Sequence, residues 1–560
     1  MDEVSKFYSI IANEWEERIK SDPFLATRSG DKRYNDKLPE ISEAAYQVKR
    51  ESIERYLSLV EGMRNGFTGK DKLNLKIFIH VLKSQLIPLK HKIYRMSMSK
   101  VNGFHLTLNL IYRSAPFNTV QDYKNYISRL RQIPKFVEGH IEIMSNGIKG
   151  GQIAPRTTME GVSDSIKQQI YSNPRESPYY TPFERIPGTI AENMKSELQQ
   201  DGENAILNGL FKAYASFVEF LDTTYFPATR DDIAAINLPN GGEMYKDSIF
   251  YYTTLELEAE EIHRIGLREV KRIKLEMEDV VKGSNFDGKV TDFIQHLRTS
   301  PEFYVNTPEE LLEKVARIAK KIDGALPKLF KTLPRLPYGI EPIPDYAAPG
   351  NYTGYYNYGT GDGTQSGTYF VNTYDLKSRG LFEYDALSLH EAVPGHHLQL
   401  ALQQENEVPN FRKYENFNSF VEGWALYCET LGFECDLYKT PYSNFGRLSF
   451  EMWRACRLVV DTGMHVLGWP RQQAIDFMSE NTSLSLLNIE NEVDRYISWP
   501  GQALGYKLGE LKIRELRRIA EEKLGESFDV REFHDAVLAN GSIPLEILEE
   551  IILDWIRLQE

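Results

Sequence analysis

The segment His390-Glu-Ala-Val-Pro-Gly-His-His-Leu-Gln399 constrains the fold of this chain more than any other stretch, because it sets a Pro-Gly pair inside a helical pattern. Apolar residues recur at spacings of three and four from Glu383 to Gln404, which predicts an amphipathic helix. Pro394 has no N–H, and its ring would clash with the carbonyl four residues earlier, that of His390. Gly395 then supplies whatever backbone angles re-entry requires. The segment is expected to be a helix interrupted at the Pro-Gly pair, with histidines on either side of the break.

The same periodicity runs through Ile41 to Val60, Lys72 to Met96, Asn204 to Leu221, Thr254 to Val281, Pro308 to Ile322, Val421 to Phe433 and Gly501 to Leu524, so the chain reads as mainly α. Prolines and glycines interrupt it at Asn173-Pro174, Asn237 to Gly242, and Pro334 to Pro344. The length, 560 residues, supports a large core or two fused lobes. We expect a helical N-terminal lobe over 1–335 and a catalytic lobe carrying the motif helix over 336–560, the two forming one continuous structural unit. Tyr346 to Tyr374 differs in kind, with aromatic and β-branched residues on both sides of a glycine turn at Gly359-Thr-Gly-Asp-Gly363. That composition predicts a small hairpin or sheet just before the motif helix, with Tyr369 on one strand. An exposed edge there could hold an extended peptide by main-chain hydrogen bonds.

A net charge of −14 and the lack of a long basic run argue against a nucleic-acid partner. No stretch reaches the roughly 18 continuous apolar residues of a membrane span, and Met1 to Lys6 lacks the profile of a signal peptide. The expectation is a soluble, cytoplasmic protein with no membrane partner. Three cysteines, Cys428, Cys435 and Cys456, imply neither a disulfide framework nor a cysteine-type metal knuckle.

Three of the 11 histidines fall between His390 and His397, beside Glu391. In a regular His-Glu-x-x-His helix the histidines lie one turn apart, both reach one Zn²⁺, and the Glu serves as general base. Here His396 comes six residues after His390, which on an unbroken helix is roughly 9 Å along and about 120° around. His397 would return to the same face but roughly 10.5 Å along. Looping the Pro-Gly pair out restores the regular spacing with His396 as second ligand, and bulges of this kind favour functional sites. Looping out three residues would select His397 instead, otherwise a residue facing substrate or supporting a ligand. A third ligand is sought in Phe420 to Glu429, on a helix able to return antiparallel. Glu422 and Glu429 share a face, and Glu422 is favoured because Gly423 permits close helix approach. Two histidines and a carboxylate with an open fourth position form the catalytic type of zinc site, one ion per chain.

These residues resemble the His-Glu-x-x-Pro-Gly-His-His-x-Gln pattern of the bacterial domain-of-unknown-function family eight-eighty-five, grouped with the zincin-like metallopeptidases. Glu422 to Tyr427, Arg495 to Gly509, Phe533 to Leu538 and Leu238 to Gly242 resemble it too, so the likeness covers most of the chain. The resemblance implies a helical, two-lobed gluzincin-like fold, with His390, His396 and Glu422 as metal ligands and Glu391 as the catalytic carboxylate.

In the expected reaction, metal and Glu391 together activate water against the carbonyl of a short peptide. Tyr506 and then Tyr496, flanking the Trp499-Pro500-Gly501 break, are the candidates to donate to the developing oxyanion. Arg457, Asp461 and His465 form a polar stripe on an otherwise apolar segment, able either to orient a ligand and bind a substrate carboxylate or to pair among packed helices. His263 and His534 read as ordinary surface or core histidines. The alternatives to a peptidase are a metal-dependent amidohydrolase acting on a non-peptide amide and a non-catalytic peptide-binding protein on the same scaffold.

Overall fold

The computed structural model describes residues 2–560 apart from 64, 109–110, 345–347, 351, 360–362 and 364–365. It is mainly helical, with one small three-stranded sheet. The chain divides into two compact units, Met1–Met244 and Tyr245–Glu560, so the boundary falls well before the one expected after residue 335. The reason lies in the helix Ala259–Gly283, which packs along Pro441–His465. Gly266 makes the approach close: a Cβ there would meet Val459 Cγ2 at 2.7 Å and Leu458 Cβ at 2.8 Å.

The first unit is built around the long helix Val120–Gly150, started by a capping box in which Thr119 and Asp122 satisfy each other's backbone N–H groups. Its buried face, including Tyr126, Leu130, Ile133, Ile143 and Met144, joins a core with Phe104, Phe183, Tyr214 and Phe217.

In the second unit the sheet has strand order β1-β3-β2, with β1 Tyr338–Pro342, β2 Gly354–Asn357 and β3 Gly367–Val371. β2 and β3 are antiparallel, pairing Tyr356 with Tyr369, and β1 runs parallel to β3. The expected hairpin is therefore present and gains a third strand; most of the expected glycine turn, residues 360–362, lies outside the described residues. Alternation along β3 turns Tyr369 and Val371 inward, where they pack with Tyr384, Ala386 and Leu387 of the helix Tyr384–Glu391. The sheet thus backs the first half of the broken motif helix.

The second half, His396–Glu405, begins four residues after Ala392, where the first half's helical geometry ends. Across the break the Val393–Pro394 peptide is cis. The turn spans Ala392 to Gly395, longer than a two-residue bulge, and His397 N–H bridges it by donating to Ala392 O at 3.0 Å. Gly395 is obligatory, since a Cβ would lie 1.9 Å from His390 O. Trp424 Nε1 donates to Pro394 O at 2.9 Å, which ties the turn to the helix Asn418–Thr430.

That helix in turn packs backbone against backbone on Leu504–Leu524. A Cβ on Gly423 would come within 2.5 Å of Gly509 Cα, and one on Gly509 within 1.9 Å of Ser419 O. The close approach anticipated at Gly423 is thus provided from both sides, and it fixes where Glu422 stands.

Candidate metal centre

The turn brings His396 back to His390: their rings lie 4.8 Å apart and perpendicular. One atom of Glu422, Oε2, lies 3.6 Å from His390 Nε2 and 3.5 Å from His396 Nε2. Glu391 joins the same group, with potential ligand atoms of His390, Glu391 and His396 all within 4.8 Å of one another. His397 is directed elsewhere. Its Nδ1 meets Tyr356 OH at 2.9 Å and its ring lies 4.8 Å from that of Tyr338, so it anchors the restarted helix to the sheet. Burial pushes the His397 imidazole down to about 4, which keeps it neutral.

Glu429, the other carboxylate considered as third ligand, lies on the opposite side of His390. Its Oε1 is 2.9 Å from His390 Nδ1, and Arg454 Nη2 lies 3.6 Å from the same oxygen. A carboxylate on Nδ1 fixes the tautomer and leaves Nε2 directed at the cluster, the usual support for a metal-binding histidine. Glu422 and Glu429, two helical turns apart, therefore divide their roles: one faces the convergent nitrogens and the other orients a ring.

Electrostatics follow from this crowding. Burial disfavours the imidazolium of His390, yet Glu422, Glu429 and Glu391 together raise it to about 9. Burial likewise opposes the charged form of Glu422, and the two imidazoles overcome this and hold its carboxyl well below the ordinary range. Glu391 goes the other way: burial pushes its carboxyl up, against the pull of His390 and His396. A buried carboxyl with raised proton affinity, beside a strongly ionised one, is the pairing expected where one group moves protons and the other holds charge.

The residues fit a divalent metal. Zinc bonds of roughly 2.0–2.2 Å place neighbouring tetrahedral ligand atoms roughly 3.3–3.6 Å apart, and the two nitrogen–oxygen separations at Glu422, 3.5 and 3.6 Å, fall in that range. Glu422 is held ionised between the two imidazoles, so two histidine nitrogens and a carboxylate oxygen form the donor set that a divalent cation takes. His390, His396 and Glu422 are the residues that would hold it.

The remaining expected residues separate into two groups. Tyr369 is fully buried, and it interacts with Ser388 and, electrostatically, with Tyr384 and Glu391. Tyr506 lies near Glu422, and its ring is stacked 4.3 Å from the Arg457 guanidinium carbon. Burial raises its phenol to about 12, so it remains a donor at neutral pH. Tyr496 is fully engaged instead: its hydroxyl donates to Glu492 Oε2 at 2.7 Å and accepts from Trp453 Nε1 at 3.0 Å and Arg457 Nε at 2.9 Å. The stripe on Pro441–His465 also divides. Asp461 accepts from Tyr245 OH at 2.6 Å and Gly501 N–H at 3.1 Å, and His465 Nε2 meets Tyr496 O at 3.0 Å. These two hold the chain around the Trp499-Pro500-Gly501 break, while Arg457 alone faces Tyr506. Sequence reasoning missed Trp424, Arg454 and Glu492; the signal for Trp424 was the need of a buried indole N–H for an acceptor.

Comparison with solved structures supports the fold as a whole. The chain superposes on "the crystal structure of the putative lipoprotein from Colwellia psychrerythraea" with TM-score 0.94 and 27% identity, covering 100% of both chains. It is similar in fold to "a putative lipoprotein of unknown function from Shewanella oneidensis", TM-score 0.71 and 17% identity, over 98% of this chain and 99% of that one. Those descriptions belong to those proteins. A search of curated proteins finds no match. The family described as "Bacterial protein of unknown function (DUF885)" matches residues 23–552, and the chain belongs to it.

Proposed function

We propose that this protein is a zinc-dependent hydrolase that cleaves peptide bonds of short peptides, with one metal held by His390, His396 and Glu422. The observation that carries the reading is the convergence of His390 Nε2 and His396 Nε2 on a single Glu422 oxygen, across the Pro-Gly break that separates the two histidines. When bound, zinc supplies Lewis acidity toward a carbonyl and lowers the proton affinity of water. Glu391 is the general base: its buried carboxylate takes the proton of the attacking water and passes it to the leaving amine. Tyr369 lies on the sheet side, where its buried phenol interacts electrostatically with Glu391. Tyr506 donates its hydroxyl toward the developing oxyanion, and Glu429 keeps the His390 ring in register through Nδ1.

The test is digestion of a mixed peptide pool by purified protein, with and without chelator, beside the Glu391→Gln variant. The reading predicts cleavage that is lost with chelator and restored by zinc, and a Glu391→Gln protein that keeps its metal but not its activity. Cleavage indifferent to chelator, or an active Glu391→Gln protein, would overturn it.

A further inference from the structure

A second buried charged group stands next to the metal cluster, and its charges do not balance. Arg457 and Arg495 are 3% and 4% exposed, and both turn to the one carboxylate of Glu492. Arg457 Nη2 donates to it at 3.2 Å and Arg495 Nη2 at 2.9 Å. Arg495 Nη1 continues to Gln502 Oε1, and Arg457 Nε to Tyr496 OH. Among the described residues, the buried Arg457 Nη1 has no acceptor. Asp461 feels Arg495, but it is held by Tyr245 OH and Gly501 N–H instead, and burial pushes its carboxyl up to about 7. Two permanent cations thus pair directly with a single carboxylate in a buried setting, which is costly without a further counter-charge.

The place of this group matters. The Arg457 guanidinium lies between the rings of Trp453, at 4.5 Å, and Tyr506, at 4.3 Å. Tyr506 interacts electrostatically with Glu422, Arg457 and Arg495, and Tyr352 with Arg495, Glu492, Arg457 and Glu422. Both phenols therefore neighbour the metal-ligand set and the arginine pair at once. Tyr352 is itself 51% exposed, on the segment before β2.

We propose that Arg457 and Arg495 form a subsite for the free C-terminal carboxylate of a peptide, which makes the protein's substrates peptides cut near their C-terminal end. This inference rests on the peptidase reading for its consequence, though not for the binding it describes. A single carboxylate brings one negative charge, the amount the cluster lacks, and gives Arg457 Nη1 its missing acceptor. Trp453 and Tyr506 keep the guanidinium plane fixed, as anion recognition by arginine requires. An internal peptide bond or a C-terminal amide brings no charge and leaves the imbalance as it stands.

The test uses the full zinc-loaded chain and a pool of mixed tripeptides prepared as free acids and as C-terminal amides. Binding is measured by calorimetry on Glu391→Gln protein and cleavage on the unaltered protein. The expected result is at least tenfold tighter binding of the acids, a preference lost in Glu391→Gln/Arg457→Met and partly kept in Glu391→Gln/Arg457→Lys. Equal binding of acids and amides by the Glu391→Gln protein, which leaves the arginines intact, would overturn the subsite even if the Arg457 variants failed to fold. Binding with acid preference but no cleavage would leave the subsite standing and overturn the peptidase reading; cleavage of both forms alike would do the reverse.

Discussion

His140 of the first unit and His390 of the second are both buried, 6% and 3% exposed, yet their surroundings drive them in opposite directions. His140 packs against the rings of Phe104 and Phe136 at 4.6 and 4.7 Å, neither nitrogen has a hydrogen-bond partner among the described residues, and burial pushes it down to about 3. His105, in the same unit, is driven down to about 4 by the same cause. His390 has a carboxylate at each nitrogen and is raised to about 9. Burial alone makes a histidine a piece of core. Carboxylates at both nitrogens, one to orient and one to converge, make it a candidate ligand.

The largest effect that should break this contrast is chemical. Glu391→Gln removes the base but neither histidine nor Glu422, so kcat for peptide cleavage should fall about 10²–10⁴-fold with zinc content unchanged, as read by steady-state kinetics and metal analysis. Glu429→Gln weakens the support of His390 Nδ1. Its zinc affinity, measured by competition with a fluorescent chelator, should drop about 10–100-fold, whereas His140→Leu should leave it unaltered.

Next comes the frame that holds Glu422. Gly423→Ala puts a methyl within 2.5 Å of Gly509 Cα, where backbone cannot yield cheaply. Thermal or denaturant unfolding should show a loss of about 1–3 kcal/mol or more.

The smallest effect belongs to the first unit's histidines. Their folded pKa values lie below the unfolded value of about 6.5, so the unfolded state binds protons that the folded state refuses. Their contribution is therefore intact above about pH 6.5 and is lost as pH falls toward the folded values of about 3 and 4. At pH 5 His140 should cost about 2 kcal/mol relative to neutral pH, and His140→Leu should flatten the acid limb of a stability-against-pH curve by that amount.

Much of this was legible in the sequence because it depends on local rules. The helix break around Pro394, the need for glycine after it and the placement of Glu422 beside a small residue follow from backbone sterics and helical spacing, and the structure shows each of them. The hairpin before the motif was legible from its aromatic and β-branched run. The extent of the turn was not: its four residues are set by Trp424 reaching Pro394 O from another helix, and no local pattern reports that. For the same reason Tyr496 looked available as a donor, while its hydroxyl is fully engaged by Trp453, Arg457 and Glu492, residues from two helices. The unit boundary moved because Ala259–Gly283 takes its partner from far along the chain at Pro441–His465, a pairing that amphipathic spacing leaves open.

The central claim is that the four-residue turn at Pro394 recruits His396, and not His397, to a metal shared with His390 and Glu422. Zinc stoichiometry by elemental analysis of the unaltered protein, His396→Ala and His397→Ala tests it most directly. The account predicts one zinc per chain in the unaltered protein and in His397→Ala, and close to none in His396→Ala. Retention of zinc by His396→Ala together with its loss from His397→Ala, or no zinc in the unaltered protein after exposure to the metal, would contradict it.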